Sequence, residues 1–330
     1  MSYEEHDFLA RDELLYHCAE LFYGEGLTKK EIADQIHVSP THVKRLLEEA
    51  TRKGIVTVEV KLTGRFRKLE NMLTDKYHLR FARVVETSSD YEEVMRNLGQ
   101  AAADFLEDFV QRRSRTRVGI GGGASLLRMI ESLEKKPRPV DIYPTSLFGR
   151  GSLVEFVSST FLAYYLLTKS IPIATAKIVG IPPLPRESDK ARVFSEWLLR
   201  EIDEVREVYD ESKLVDLAFV GIGTIIPSRD IFSELSKLGY DFEYMKRMGA
   251  VGGINYNYFD SNGNQIGNGI LTLSIRDLRE ISHDNPRLVV IVGGGSHKAE
   301  AIYVGIRTEI ANSLITDEET ARYLLRKMIR

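Results

Sequence analysis

The sequence predicts two joined structures: an amino-terminal winged helix-turn-helix, all-α with a short wing, and then a doubly wound, mostly parallel α/β domain. Three observations predict it. Leu27–Val56 holds two short helical patterns separated by a turn. From Phe81 onward, short apolar runs alternate with amphipathic stretches, the pattern of a sheet covered by helices. Three of those runs end in glycine: GIGGGAS, GIGT and VGGGSHK.

The chain has 330 residues, enough for about two domains. We expect a DNA-binding unit over residues 1–60, a linking or oligomerising helix over 61–80 and a ligand-binding domain over 81–330. The single cysteine, Cys18, cannot form an internal disulfide, which fits a reducing compartment. The opening residues are acidic and lack an apolar signal core, and the longest greasy run, Phe161–Leu167, is short for a bilayer span. A cytoplasmic protein without a membrane partner is therefore expected. The net charge of −3 announces no nucleic-acid partner by itself. Its distribution is uneven, however. Met1–Gly26 carries seven acids against Arg11 alone, whereas Thr28–Lys68 carries ten bases against five acids. That local excess makes a basic face.

Arg11–Tyr23 reads as a first helix, with Leu14, Leu15, Cys18, Leu21 and Phe22 on one side. Thr28, followed by Glu31, is a capping box that opens a second helix running to about Ile36. His37-Val38 is the turn. Ser39 caps a third helix, and Pro40 takes its first position, where no amide hydrogen is needed. Val43, Leu46 and Leu47 point inward. Gly54 stops the helix, and IVTVEV is a strand suited to a wing. Two helices, a short turn and a polar third helix suit the major groove of DNA. Thr41 and His42 would face base edges, with Ser39 beside them; Lys29, Lys30, Lys44, Arg45 and Arg52 would neutralise phosphates. A helical hairpin with a solvated charged face would show the same spacing.

Leu62–Leu79 is amphipathic through Phe66, Leu69, Met72, Leu73 and Tyr77. It would link the domains, pair with its copy in a second subunit, or pack on its own domain. Beyond it, FARVVET, TRVGIG, VDIYPTSLF, ATAKIVGI, LVDLAFVGIG and RLVVIVGGG read as strands; Val94–Val110, Ser125–Leu133 and Lys190–Glu201 read as helices.

In open parallel sheets, ligands bind at the carboxyl ends of the strands. Here the candidates are Gly122, Gly123, Ala124 and Ser125 in the first glycine loop, Gly223 and Thr224 in the second, and Gly294, Gly295 and Lys298 in the third. Glycine lets a ligand approach backbone amides, and a helix start favours anions. Hydroxyls and a lysine complete a set suited to phosphate. Tight turns need glycine without any ligand, so each loop alone argues weakly, while the three together with Lys298 argue for one shared pocket. Asp260, in YFDSNGNQI, is a candidate for sugar hydroxyls, although Asp-Ser-Asn-Gly is also a good turn. The seven histidines show no metal-ligand spacing, and no cofactor is expected. Trp197, beside Leu198 and Leu199, reads as core.

Together these features resemble the SorC family of bacterial transcriptional regulators, which join an amino-terminal helix-turn-helix to a sugar-binding domain. The first segment is similar through Ile32-Ala33, Ser39, Val43, Arg45-Leu46-Leu47, Ala50 and Gly54-Ile55-Val56. GIGGGASL, VGIGT, GAVGGINYNYFDSNG, VGGGSHKAEAI and NSLITDEETARYLL follow in the family's order. The resemblance implies a fold related to sugar-phosphate isomerases and glucosamine-phosphate deaminases. It also implies a cytoplasmic dimer or tetramer, operator DNA as partner and a phosphorylated sugar or similar metabolite as effector. On that basis the phosphate grip falls on Gly122–Ser125 and Lys298, and hydroxyl contacts fall on Asp260. Two residues depart from the family pattern: Pro40 where a basic residue is frequent, and Ala124 where a hydroxyl residue is.

Two other readings compete. Gly119-Ile-Gly121-Gly-Gly-Ala124 fits a GxGxxA dinucleotide fingerprint, with Asp141 placed for a ribose, which would make an NAD(H) sensor. A sugar-phosphate isomerase or deaminase would need a carboxylate base, for which Asp260 and Glu300 are available.

Overall fold

In this computed structural model the described residues are 3–25, 27–56, 65–111, 113–133, 140–145, 158–170, 175–179, 188–225, 242–266 and 271–328. The chain divides into two units, Met1–Thr63 and Gly64–Arg330.

In the first unit, helix α1 (Tyr3–Ala19) runs into a π-helical turn, Glu20–Gly24. The helix starts earlier than the apolar spacing indicates, because its first two turns carry no apolar stripe. Helix α2 (Lys29–Gln35) opens on the expected capping box: the Thr28 hydroxyl accepts the Glu31 N–H at 3.3 Å, and the Glu31 carboxylate accepts the Thr28 N–H at 2.8 Å. His37 takes a left-handed φ of 55° at the turn. Ser39 caps α3 (Pro40–Arg52) by accepting the His42 N–H at 3.2 Å. Leu15, Cys18, Ile32, Ala33, Val43 and Leu46 form the core, and Ala33 leaves room for the helix crossing. Arg11–Glu49 (2.6 Å) and Lys53–Asp12 (2.7 Å) pin α1 to the end of α3. Ile55 and Val56 pack on this core. The rest of the expected wing strand, Thr57–Val60, lies outside the described residues.

The second unit begins with α4 (Arg67–Tyr77). Leu73 and Tyr77 are buried in this unit's core and Met72 is exposed, so one side of the helix lies against its own domain. The strands are β1 (Phe81–Val85), β2 (Thr116–Ile120), β3 (Val140–Pro144), β4 (Thr175–Ala176), β5 (Leu217–Gly223), β6 (Ala250–Ile254), β7 (Asn257–Asp260), β8 (Gln265–Ile266), β9 (Leu288–Val292) and β10 (Ser313–Asp317). The main sheet runs β1-β10-β9-β5-β2-β3-β4, with every neighbouring pair parallel.

Both faces of the sheet are covered. On one, Phe219 and Val290 pack with Leu98, Leu126 and Met129 from helices α5 (Tyr91–Gln111) and α6 (Ala124–Ser132); α7 (Ser159–Ser170) joins them through Leu162. On the other, Val220 and Ile291 pack with α11 (Ile275–His283), α12 (Ala299–Arg307) and α13 (Glu318–Arg326) through Leu278, Ile302 and Leu324. Adjacent residues of one strand thus feed opposite layers, which is why the strands read as continuous apolar runs. Helices α8 (Ser188–Glu201), α9 (Asp203–Ser212) and α10 (Phe242–Arg247) complete the set among the described residues.

An antiparallel extension departs from the alternation. At its carboxyl end β5 leaves β9 and pairs with β6, Ile222 opposite Ile254; β7 and β8 follow as a meander. From β2 the chain progresses through β3 to β4 on one side, and then returns to place β5 on the other side of β2. The strand order therefore reverses between β2 and β5, and a crevice opens at the carboxyl ends of such a pair.

Candidate functional site

Two of the three glycine loops lie on that reversal and the third beside it. After β2, the Gly121 N–H donates to the Phe219 carbonyl at 2.8 Å. A Cβ on Gly221 would lie 2.5 Å from the Gly122 carbonyl oxygen, so the first two loops touch backbone to backbone. Gly123, at φ 129°, turns the chain into α6, and no L side chain adopts that angle easily. The Ser125 hydroxyl donates to the Val292 carbonyl at 2.8 Å, tying the first loop to the end of β9. The third loop is held by Asp317 at the end of β10. The Gly295 N–H donates to its carboxylate at 2.6 Å, the Thr320 N–H at 3.1 Å, the Thr320 hydroxyl at 2.8 Å and the Thr87 hydroxyl at 2.9 Å. Burial pushes this carboxyl up, but those hydrogen bonds outweigh it and hold Asp317 below the usual carboxylate range.

The structure brings Gly122, Gly123, Ala124, Ser125, Gly294 and Gly295 into one assembly across β2, β5 and β9, and the second loop, through Gly223, opens at the end of β5. The first amides of α6, at Ala124 and Ser125, belong to a helix start, where N–H groups have no intrahelical acceptor. They suit an anion. Thr224 directly follows β5. Lys298 ends a 3₁₀ turn, Ser296–Lys298, and opens α12; its ammonium lies 5.8 Å from the Tyr91 ring centroid. His297 packs edge-on against the same ring, at 5.3 Å. Burial, reinforced by Lys298 and opposed by Asp317, lowers the His297 pKa.

Several expectations need correction. The Ser125 hydroxyl is committed to Val292, so this residue offers a ligand its backbone rather than its side chain. Asp260 is not brought to the glycine loops. Its carboxylate accepts the Asn262 N–H (2.8 Å), the Asn264 N–H (2.9 Å) and the Asn264 amide (3.1 Å), closing its own turn. That turn sits against Arg279 and Thr308, at the far end of α12 from Lys298, about 15 Å along the helix. Asp141 lies at the amino-terminal end of β3, opposite Arg117 and away from the glycines, and is bound by Arg115 (2.9 Å) and Thr175. The dinucleotide reading needs an acid at the carboxyl end of the strand, so it fails. Glu300 is held by Lys327 (2.7 Å) and by the Tyr323 hydroxyl; burial pushes its carboxyl up, and these bonds lower it further than burial raises it. Neither carboxylate is poised in the crevice as a base. Trp197 is not core: it is 43% exposed and stacks on Phe194.

Among the described residues, Asp317, Thr87, Thr145 and Asn255 are polar groups at this end of the sheet that sequence reasoning missed. Asp317 had a signal, since Asp-Glu-Glu-Thr after an apolar run is an N-cap pattern. Asn255 had none. Two cavities lie away from the glycine loops. One, of about 710 Å³, is lined by residues such as Phe66, Lys68, Met72 and Arg322; another, of about 410 Å³, by Lys190, Val193, Phe194 and Trp197.

In the first unit, Thr41, Lys44, Arg45 and Arg52 are exposed along α3, and Lys29 and Lys30 are exposed at the start of α2. His42 is half-buried, and Ser39 serves as the cap. Lys44 makes only a loose contact with Glu48, at 3.7 Å with both side chains over 60% exposed, so its charge stays available to phosphate.

A small helical unit with an exposed basic helix, followed by an α/β domain with a mostly parallel sheet whose glycine loops meet at a reversal of strand order, is the architecture of a ligand-responsive regulator. Comparison with known proteins agrees. The family model described as "Putative sugar-binding domain" matches residues 63–326. The deoxyribonucleoside regulator of Bacillus subtilis (strain 168) is 25% identical, over 96% of this chain and 98% of its own. The transcriptional regulator LsrR of Escherichia coli (strain K12) is 27% identical over 96% of each chain. Among solved structures, the full-length sorbitol operon regulator SorC from Klebsiella pneumoniae shares the fold, with a TM-score of 0.76 at 21% identity over 95% of this chain and 98% of its own. The chain belongs to this sugar-binding-domain family, the SorC family of transcriptional regulators that its motifs resemble.

Proposed function

We propose that the protein binds operator DNA through α3 and answers to a phosphorylated sugar held in the crevice between β2 and β5. The observation that carries this reading is the meeting of the glycine loops at the reversal of strand order, with the amino terminus of α6 facing them. The amides of Gly122, Gly123, Ala124 and Ser125 receive the phosphate, Lys298 adds positive charge, and the loops at Gly223–Thr224 and Gly294–Gly295 border the sugar. Ala124 lacks the hydroxyl frequent in the family, so the grip relies on backbone amides. Thr41 and His42 face base edges, while Lys29, Lys30, Lys44, Arg45 and Arg52 approach phosphates. The operon served is one of carbohydrate use, the protein is cytoplasmic, and it acts as a dimer or tetramer that sets two helices on two half-sites.

The relatives' printed functions support a small carbohydrate as effector: one is named for deoxyribonucleosides and one structure for the sorbitol operon. Regulation rather than turnover is the function proposed, since Asp260 and Glu300 are both committed elsewhere.

A thermal-shift series with sugar phosphates, the corresponding free sugars and NADH tests this. A ligand at about 100 times its dissociation constant stabilises the folded state by about 2.7 kcal/mol. Stabilisation by a sugar phosphate beyond its free sugar is the expected result. Stabilisation by NADH alone would overturn the assignment.

A further inference from the structure

We infer that Asn255 is the residue that reads a neutral oxygen of the sugar, the role that sequence reasoning gave to Asp260; this rests on the reading of the crevice as the effector site. The Asn255 side chain is 7% exposed. Its Oδ1 accepts the Thr145 hydroxyl at 2.9 Å, while its Nδ2 is buried and, among the described residues, has no hydrogen-bond partner. Such an orphaned donor costs folding free energy unless something supplies an acceptor.

Its place in the fold points to a ligand. Oδ1 lies 2.9 Å from the position a Cβ on Gly121 would take, and Thr145 directly follows β3. The carboxamide therefore sits at the carboxyl ends of β2 and β3, beside the reversal of strand order. The backbone that carries it is anchored by Asn257. The Asn257 amide donates to the Asn255 carbonyl (3.1 Å), to the Leu273 carbonyl (2.8 Å) and to the Thr272 hydroxyl (3.1 Å). Asn255 and Tyr256 form the β6–β7 turn with φ of 50° and 60°, a conformation that asparagine tolerates and tyrosine resists.

Because Thr145 satisfies the oxygen, the amide's free end is its N–H pair. A dry, uncharged donor selects a hydroxyl or carbonyl oxygen. Charge is met elsewhere, by the α6 amides and Lys298. The crevice thus divides its work: phosphate on the glycine loops, and an oxygen of the sugar carbon chain on Asn255.

Calorimetric titration of the full-length protein with ribose 5-phosphate, glucosamine 6-phosphate and inorganic phosphate tests this in wild type, Asn255→Ala and Asn255→Ser. The serine is neutral, so it adds no charge beside the phosphate, and its shorter side chain withdraws the amide donor; it remains informative if the alanine variant fails to fold. The expected result is a loss of about 10-fold or more in affinity for the sugar phosphate that wild type binds, with inorganic phosphate binding changed less than twofold. Sugar-phosphate affinity unchanged in a folded variant, or phosphate affinity falling in step, would overturn the role of Asn255 and leave the crevice reading standing. A wild type that binds none of the three would bring down both.

Discussion

Asp317 shows how single residues build this site. It accepts from Gly295, Thr320 and Thr87, and thereby fixes the third glycine loop to α13 and to the segment after β1. Its folded pKa lies below the ordinary 3.8, so the unfolded chain binds more protons as the pH falls. The stability it contributes is fully present above that ordinary value and is lost as pH falls through the lowered folded one. Thermal midpoints measured from pH 7 down to about pH 2.5 should fall in acid for wild type and less steeply for Asp317→Asn, which starts lower at neutral pH. Ser125→Ala leaves the Val292 carbonyl without its partner and should cost about 1–3 kcal/mol in urea unfolding. The glycine strings were legible as loops that share one pocket, but the bonds that join them were not. The Ser125 bond spans 167 residues and the Asp317 bond 22, and neither distance is written in a local pattern. Asp260 was misplaced for the opposite reason. Its local turn chemistry consumes the carboxylate that a ligand would need.

At the level of elements, legibility follows the strength of local rules. The Thr28 capping box, the Ser39-Pro40 start and the inward Val43, Leu46 and Leu47 could be read because each depends on residues three or four apart. Strands β6, β7 and β8 could not. They are short, β6 contains Gly252 and Gly253, and they pair antiparallel to β5 against the run of the sheet. Strand β10 ends in Thr316-Asp317, and its polar end hid a strand buried along its whole length. Ser39→Ala should destabilise the first unit by about 1 kcal/mol, read from its unfolding transition. Arg45→Ala should weaken DNA binding across sequences and reduce the salt slope by about 1, read by anisotropy at several salt concentrations. An unchanged slope would mean that Arg45 touches no phosphate.

Across the whole molecule, the net charge of −3 conceals a division of labour: an acidic chain carries a basic stretch where α2 and α3 stand. The fold class was legible because a doubly wound sheet writes itself as alternating apolar runs and amphipathic helices. The glycine ends of the strands were legible as the candidate site, but the reversal between β2 and β5 was not, since it depends on strand order alone. Regulation needs a ligand that binds two arrangements of the protein with different affinity; without that difference, occupancy shifts nothing. Coupling of this kind is typically about 1–3 kcal/mol, or about 5–150-fold in affinity. The direct test is fluorescence anisotropy of a labelled operator fragment titrated with the full-length protein, with and without saturating sugar phosphate. The expected result is at least a fivefold change in operator affinity, abolished when Gly123 is replaced by a residue that cannot hold φ 129°. Operator affinity that stays constant while the crevice is demonstrably full would contradict it.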